Sequence, residues 1–257
     1  MSEEILSLTP PPADHRLAYG ADPNQFGDLR LPKGEGPFSV AMNVHGGFWR
    51  AKYDLLHGGH LCAALTKKGV ATWNLEYRRV GNAGGGWPGT FEDVANGYRF
   101  LSQIAKQYKL DARKVVVIGH SAGGQLALCL AAHEQAVTSA VSLAGIVDMQ
   151  RAFELHLSND AVVEFLGGKP EEVSDHYHEA DPMKLSPGKA NLVLIHGTKD
   201  DIVPVSFSRN YVQTKSSGNV NLIEIAGADH FDLIDPRSAA WKQVEGSVMK
   251  LLGVSSQ

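Results

Sequence analysis

The sequence predicts an α/β fold: a mostly parallel central sheet with helices on both faces and a small helical cap insertion. Three observations carry that expectation. From Phe38 onward, apolar runs of strand length alternate with longer segments, several with apolar residues at i, i+3 and i+4. Four β-branched residues, Val115 to Ile118, run straight into a glycine-flanked serine and then a stretch of strong helix formers. Only the interval 147–187 breaks the alternation, becoming polar and helical in pieces.

Bulk properties bound the rest. A chain of 257 residues is long enough for one large domain with a substantial core, so 1–257 is expected to be undivided. Its 43% hydrophobic and 20% charged content belongs to folded rather than disordered chains. A net charge of −4 with scattered Lys and Arg offers no basic field, which argues against nucleic-acid binding. No apolar run reaches the length of a bilayer span, and Met1-Ser2-Glu3-Glu4 opens without a basic region leading into an apolar one, so a cytoplasmic location is expected. Cys62 and Cys129 lie in helix-like apolar patterns and read as small buried thiols. The pairs His57 and His60, and His176 and His178, lack carboxylate or Cys partners at ligand spacing, so neither a metal nor another cofactor is expected. The oligomeric state is left open.

In chain order, residues 1–37 are rich in Pro, Gly and polar residues, with Tyr19 through Pro32 expected to hold one or two short antiparallel strands at a sheet edge. Strands are expected at Phe38 to His45, Val70 to Tyr77, Lys114 to Gly119, Thr138 to Leu143, Asn191 to His196 and Asn221 to Ala226. Helices fall between them, at Leu55 to Lys68, Phe91 to Tyr108, Gly123 to His133, Val205 to Thr214 and Arg237 to Leu252. The 147–187 interval draws its apolar content from Phe153, Leu155, Leu157, Val162, Val163, Phe165 and Leu166. A segment this long without a strand of its own is usually functional or mobile, and it reads as a cap over the site.

The chemistry centres on Ser121. A serine on a tight strand-to-helix turn needs neighbours without bulk, which Gly119 and Gly123 supply, and the following helix directs its positive end at the hydroxyl. A serine hydroxyl is a weak nucleophile at neutral pH and requires a base oriented by a carboxylate. Asp200, in the turn after the 191–196 strand, is the acid candidate, with Asp201 beside it as a helix cap. His230, after the last strand, is the base candidate. The glycines of Val44-His45-Gly46-Gly47-Phe48-Trp49 let a loop direct its amides at a developing oxyanion, so Gly47, Phe48 and Ala122 are the expected donors, with His45 shaping the loop.

These segments together resemble the α/β-hydrolase superfamily, and more narrowly its esterase and kynurenine-formamidase-like branch. The carriers are HGGFW at 45–49, NLEYRR at 74–79, GHSAGG at 119–124, HGTKDDIVP at 196–204 and GADHF at 227–231, and the similarity extends from about Tyr19 to Leu252. The resemblance implies the α/β-hydrolase fold, Ser121, Asp200 and His230 as a catalytic triad, and Gly47, Phe48 and Ala122 as the oxyanion hole. It departs from lipase-like relatives at Phe48, where many carry a third glycine; an aromatic followed by Trp is the formamidase-like form. Trp49, Trp87 and Phe231 are the candidates for lining an aromatic-tolerant pocket, with the 84–88 loop beside them.

The expected function is therefore cofactor-free hydrolysis of short-acyl or aryl carboxylic esters through an acyl-enzyme. The alternative is arylformamidase activity on N-formylkynurenine, separable by comparing kcat/KM for the two substrate classes. A non-catalytic ligand-binding protein of the same fold is the remaining reading, which a fluorophosphonate that reacts at Ser121 excludes.

Overall fold

The computed structural model describes residues 2–215 and 218–254. It contains one eight-stranded sheet: β1 (His15–Ala18), β2 (Phe26–Arg30), β3 (Phe38–Val44), β4 (Ala71–Leu75), β5 (Leu110–His120), β6 (Ser139–Leu143), β7 (Asn191–Gly197) and β8 (Val220–Ile225). The strand order is β1-β2-β4-β3-β5-β6-β7-β8. Both pairings of β2 are antiparallel, and every pairing from β4 to β8 is parallel. This is the α/β-hydrolase fold.

The helices are α1 (Gly59–Lys67), α2 (Gly89–Tyr108), α3 (Ala122–His133), α4 (Met149–Glu154), α5 (Ala161–Leu166), α6 (Ser174–Ala180), α7 (Ser206–Thr214) and α8 (Trp241–Leu252). The two-residue period of β5 shows why both faces are covered. Val115 and Val117 join a core cluster with Leu101 of α2, Leu126 of α3 and Phe207 of α7. Val116 and Ile118 join a second cluster with Leu61 of α1 and Val248 of α8. Among the described residues no helix is long and apolar enough to cross a membrane.

Boundaries differ from the sequence reading where side chains compete with the backbone pattern. β1 precedes Tyr19, because Arg16 binds the Asp28 carboxylate of β2 through two hydrogen bonds of 2.7 and 3.0 Å and pins an edge strand that has no apolar alternation. The helix expected from Arg237 starts at Trp241: the Asp235 carboxylate accepts the Arg237 amide at 2.9 Å and its guanidinium as well, favouring a turn. The helix expected over Leu55 to Lys68 divides into a 3-10 turn at Leu55–Gly58 and α1. That turn is tied to the sheet by a chain of buried amides, with Asn43 donating to Asn74 at 2.7 Å and Asn74 to the Leu55 carbonyl at 2.8 Å. Cys62 and Cys129 are buried free thiols.

The 147–187 segment folds as α4, α5 and α6. Val162, Phe165 and Leu166 are buried, whereas Leu155 is exposed. Phe165 stacks on Trp49 with ring centroids 4.4 Å apart, and the Phe165 carbonyl accepts the Trp87 amide at 2.8 Å. The segment therefore rests on the loop after β3.

Candidate active site

The candidate residues lie just after strands at the carboxyl edge of the sheet. β5 stops at His120, and Ser121 makes the turn into α3 with φ 55° and ψ −121°, a backbone state costly for a residue with a Cβ. Its amide donates to the Leu143 carbonyl at 2.8 Å, and its carbonyl accepts the Gly124 amide at 2.9 Å. The flanking glycines are required by space: a Cβ on Gly119 would collide with the Gly123 carbonyl, and one on Gly123 with the Val44 carbonyl.

After β7, the Asp200 carboxylate is buried and its Oδ1 accepts the amides of Ile202 and Val203 at 3.0 and 2.8 Å. Its Oδ2 accepts a hydrogen bond from His230 Nδ1–H at 2.7 Å and lies 3.3 Å from His196 Nε2. Burial works against ionisation of this carboxyl, but the hydrogen bonds from His196 and His230, the His230 charge and the Val203 amide outweigh it, holding Asp200 well below the ordinary carboxylate range. His196 is itself fixed, donating Nε2–H to the Val203 carbonyl at 2.9 Å and accepting the Ser208 hydroxyl at Nδ1 at 2.8 Å.

With Nδ1 engaged by Asp200, His230 has Nε2 left over. Among the described residues that nitrogen has no hydrogen-bond partner, and neither has the Ser121 hydroxyl. Both residues line one cavity of about 220 Å³. Catalytic hydrogen bonds are often long in a substrate-free site and close only around substrate.

The loop after β3 faces the same cavity through Gly47 and Phe48. Gly47, Phe48 and Trp49 have φ of 106°, 52° and 57° in succession. Among the described residues the amides of Gly47, Phe48 and Ala122 donate to no acceptor, so all three remain available to a ligand. The loop is held from below by a buried polar network. His45 Nε2 pairs with Glu76 Oε1 at 2.9 Å, and the Tyr77 hydroxyl donates to the His45 carbonyl at 2.7 Å. Glu76 also accepts the amides of Leu55 and Tyr77 and lies 3.3 Å from Arg79 Nε. Burial raises the cost of its charge, and His45 with Arg79 more than compensates, leaving Glu76 below the usual carboxylate range.

Of the residues expected to line an aromatic pocket, the structure brings only Phe231 to this cavity. Trp49 is 1% exposed; its indole N–H donates to Gln125 Oε1 at 3.0 Å and its ring is covered by Phe165. Trp87 packs between Phe91 and Phe165, 5.3 and 6.2 Å away by ring centroids, and the 84–88 loop lies outside the cavity lining. The positive φ at Trp49 turns its side chain down onto α3 instead of into the opening.

Several cavity residues escaped the sequence reading. His120 and His57 both line the wall. His120 Nε2–H donates to the His230 carbonyl at 3.0 Å, and the two rings are 4.5 Å apart. Burial, reinforced by His230 and His57, drives His120 well below the ordinary imidazole range. Burial likewise pushes His57 down to about 3, with His45 and His230 adding to the effect. Both rings are therefore neutral at physiological pH. Tyr53, Ile202, Glu3 and Leu6 complete the lining. A histidine adjoining Ser121 was a visible signal; nothing local marked His57 or the N-terminal residues.

Comparison with known proteins follows this geometry. The BD-FAE family model matches residues 28–214. A probable isoprenylcysteine alpha-carbonyl methylesterase of Oryza sativa is 24% identical over 249 residues, covering 84% of this chain and 58% of that protein. A versiconal hemiacetal acetate esterase of Dothistroma septosporum is 36% identical over 135 residues, 51% of this chain and 40% of that protein. The chain thus spans about half the length of the curated relatives it matches. A truncated carbohydrate esterase from gut microbiota superposes with a TM-score of 0.80 at 20% identity, covering 96% of this chain and 100% of the other. Such a likeness speaks for the fold, while the family match spans most of the sheet, both glycine-rich loops and the Asp200 turn. On that match the chain belongs to the BD-FAE family, within the α/β-hydrolase superfamily.

Proposed function

We propose that this protein hydrolyses short-acyl or aryl carboxylic esters, with Ser121 as nucleophile, His230 as general base and acid, and Asp200 as the carboxylate that orients the imidazole. The observation that carries the reading is the 2.7 Å bond from His230 Nδ1 to Asp200, which fixes the ring so that its free Nε2 shares a cavity with the free Ser121 hydroxyl. A Nδ1-protonated imidazole presents a lone pair at Nε2, which is what a base needs to take the serine proton. The esterase names of the curated relatives point the same way.

The chemistry then runs in two steps. Ser121 Oγ attacks the ester carbonyl as its proton passes to His230 Nε2, and the carbonyl oxygen, now anionic, accepts hydrogen bonds from the amides of Gly47, Phe48 and Ala122. Preorganised donors of this kind contribute about 3 kcal/mol each to acyl transfer. The tetrahedral intermediate collapses, the alkoxide leaves with the His230 proton, and a water activated by the same imidazole releases the acid. Asp200 stays ionised throughout and stabilises the imidazolium that forms. The 147–187 segment braces the loop after β3 through Phe165 on Trp49, and among the described residues none of its side chains lines the cavity, so the expected cap over the site does not reach it. The ester reading is the one advanced because the named relatives are esterases; of the pocket candidates Trp49, Trp87 and Phe231, only Phe231 lines the cavity.

Ser121→Ala is expected to lower kcat on p-nitrophenyl acetate by about 10³-fold or more. A fluorophosphonate should add one phosphonyl group at Ser121 of the wild-type protein, read by peptide mass spectrometry. Near-full activity in the alanine variant, or no label on Ser121, rejects the assignment.

A further inference from the structure

One wall of the cavity beside Ser121 comes from a distant part of the chain, the 3-10 turn Ser2–Ser7. The turn is fixed rather than draped. Ile5 is 1% exposed and belongs to the core cluster formed with α1 and α8. The Glu4 carboxylate lies 3.5 Å from the Arg237 guanidinium, the Ser7 hydroxyl donates to the Glu4 carbonyl at 2.8 Å, and His60 Nε2 meets the Leu8 carbonyl at 3.3 Å. Anchoring Ile5 inward turns its neighbour outward. Leu6 is 39% exposed and lies in neither core cluster, and it faces the cavity that also holds Ser121 and His230.

Through Glu3 the turn reaches the His230 side, and Leu6 lines the cavity that His230 shares with Ser121. Glu3 lines the cavity and also the adjoining groove, and the residues those two openings share with it are Ile202, His230 and Phe231. In acylation the bond from Ser121 Oγ to the carbonyl carbon forms, the bond from that carbon to the alkoxy oxygen breaks, and the alkoxy oxygen takes the proton that His230 Nε2 received from Ser121. The leaving group must therefore depart beside His230, against this wall, whereas the acyl group stays on Ser121.

We propose that Leu6 sets the size limit for the alcohol portion of the substrate, making the Ser2–Ser7 turn a leaving-group specificity element. This inference rests on the proposed ester hydrolysis at Ser121. Steric discrimination of this kind, by a few methylene equivalents in an apolar wall, is worth about tenfold in kcat/KM.

The test uses acetate esters, because every member then yields the same acetyl-enzyme and only acylation sees the alcohol. The ratio of kcat/KM for 2-naphthyl acetate over phenyl acetate should rise about tenfold in Leu6→Ala and fall by a similar factor in Leu6→Trp. Leu6→Met, which keeps the volume, should retain the wild-type ratio. The deacetylation rate, measured after a burst with p-nitrophenyl acetate, should stay unchanged in all three, since the leaving group is gone by then. Ratios within twofold of wild type in both the Ala and Trp variants, with Ser121 still acetylated in the burst, overturn the wall assignment and leave the catalytic reading intact. Failure of the wild-type protein to form acetyl-Ser121 brings down the catalytic reading and the wall assignment with it.

Discussion

Asp181, at the end of α6, has no role in the proposed chemistry, yet it makes the stability of this protein depend on pH in a calculable direction. It is 1% exposed, and burial pushes its carboxyl from 3.8 up to about 6; the Met183 and Met149 amides and Lys184 pull the other way, and Asp148 adds to the rise. The folded form therefore holds a proton that the unfolded chain has already released between those two values. Stability accordingly falls as pH rises from about 4 to about 6, then flattens. At about 1.36 kcal/mol per pH unit, the full span is about 3 kcal/mol, of which about 1.4 kcal/mol lies between pH 5 and pH 8.

Asp181→Asn removes the titration while keeping an oxygen to accept the Met183 amide, which lies 3.0 Å from Asp181 Oδ1. Its new NH2 group costs about 1 kcal/mol wherever it finds no acceptor, but that cost is the same at every pH. The variant minus wild-type difference in unfolding free energy should therefore grow by about 1.4 kcal/mol in favour of asparagine from pH 5 to pH 8. Urea unfolding of both proteins at pH 5, 6, 7 and 8 measures it. A difference that stays constant across this range, or grows in favour of aspartate as pH rises, refutes the account of Asp181. The position also bears on the site: the neighbouring Ala180 carbonyl accepts Gln125 Nε2 at 2.7 Å, and the same Gln125 holds Trp49.

Two further predictions concern the loops. Gly123→Ala drives a Cβ into the Val44 carbonyl, a backbone atom that no rotamer change can move aside, so it should cost about 3 kcal/mol of stability by urea unfolding; a wild-type midpoint would show that the elbow has room to relax. Glu76→Gln takes the charge from between His45 and Arg79 while keeping a similar shape, and should lower kcat about tenfold with little change in KM if, as proposed, the loop amides it supports act on the transition state. Equal losses in binding and turnover would place Glu76 in ground-state recognition instead.

The residues of the proposed triad stood out in the sequence because each follows a strand in a pattern the local sequence announces. Val115 to Ile118 form a strand buried on both faces, Gly119 and Gly123 can be read as close approach, and Asp200 and His230 each follow another apolar run. What escaped depended on direction or on distance along the chain. A sequence shows that residue 49 is Trp but not that its φ of 57° sends the ring onto Gln125, away from the opening. Nor do residues 2–7 carry any pattern predicting that Ile5 will bury against α8 and swing Leu6 to the cavity. The start of α8 was misread because the Asp235 carboxylate captures the Arg237 amide, a local bond that apolar periodicity does not register.

Backbone strain gives the catalytic reading a basis independent of the motifs. Phe48, Trp49 and Ser121 all have positive φ without being glycine, within two loops that face one cavity. Such states cost about 1–3 kcal/mol each and persist only where the surroundings over-determine them. Here they do: Trp49 is gripped by Gln125 and Phe165, His45 by Glu76 and Tyr77, and Ser121 by the Leu143 carbonyl. A loop selected for stability alone would place glycine at these three positions and spend its amides on neighbouring carbonyls. Instead the strain is maintained by contacts from α3, α5 and β4's exit, and among the described residues the amides of Gly47, Phe48 and Ala122 have no acceptor. Among the described residues, unpaired amide donors share one cavity with an unpaired hydroxyl and an unpaired imidazole nitrogen, which is the arrangement the proposed acyl transfer calls for: donors for the oxyanion, a nucleophile and its base.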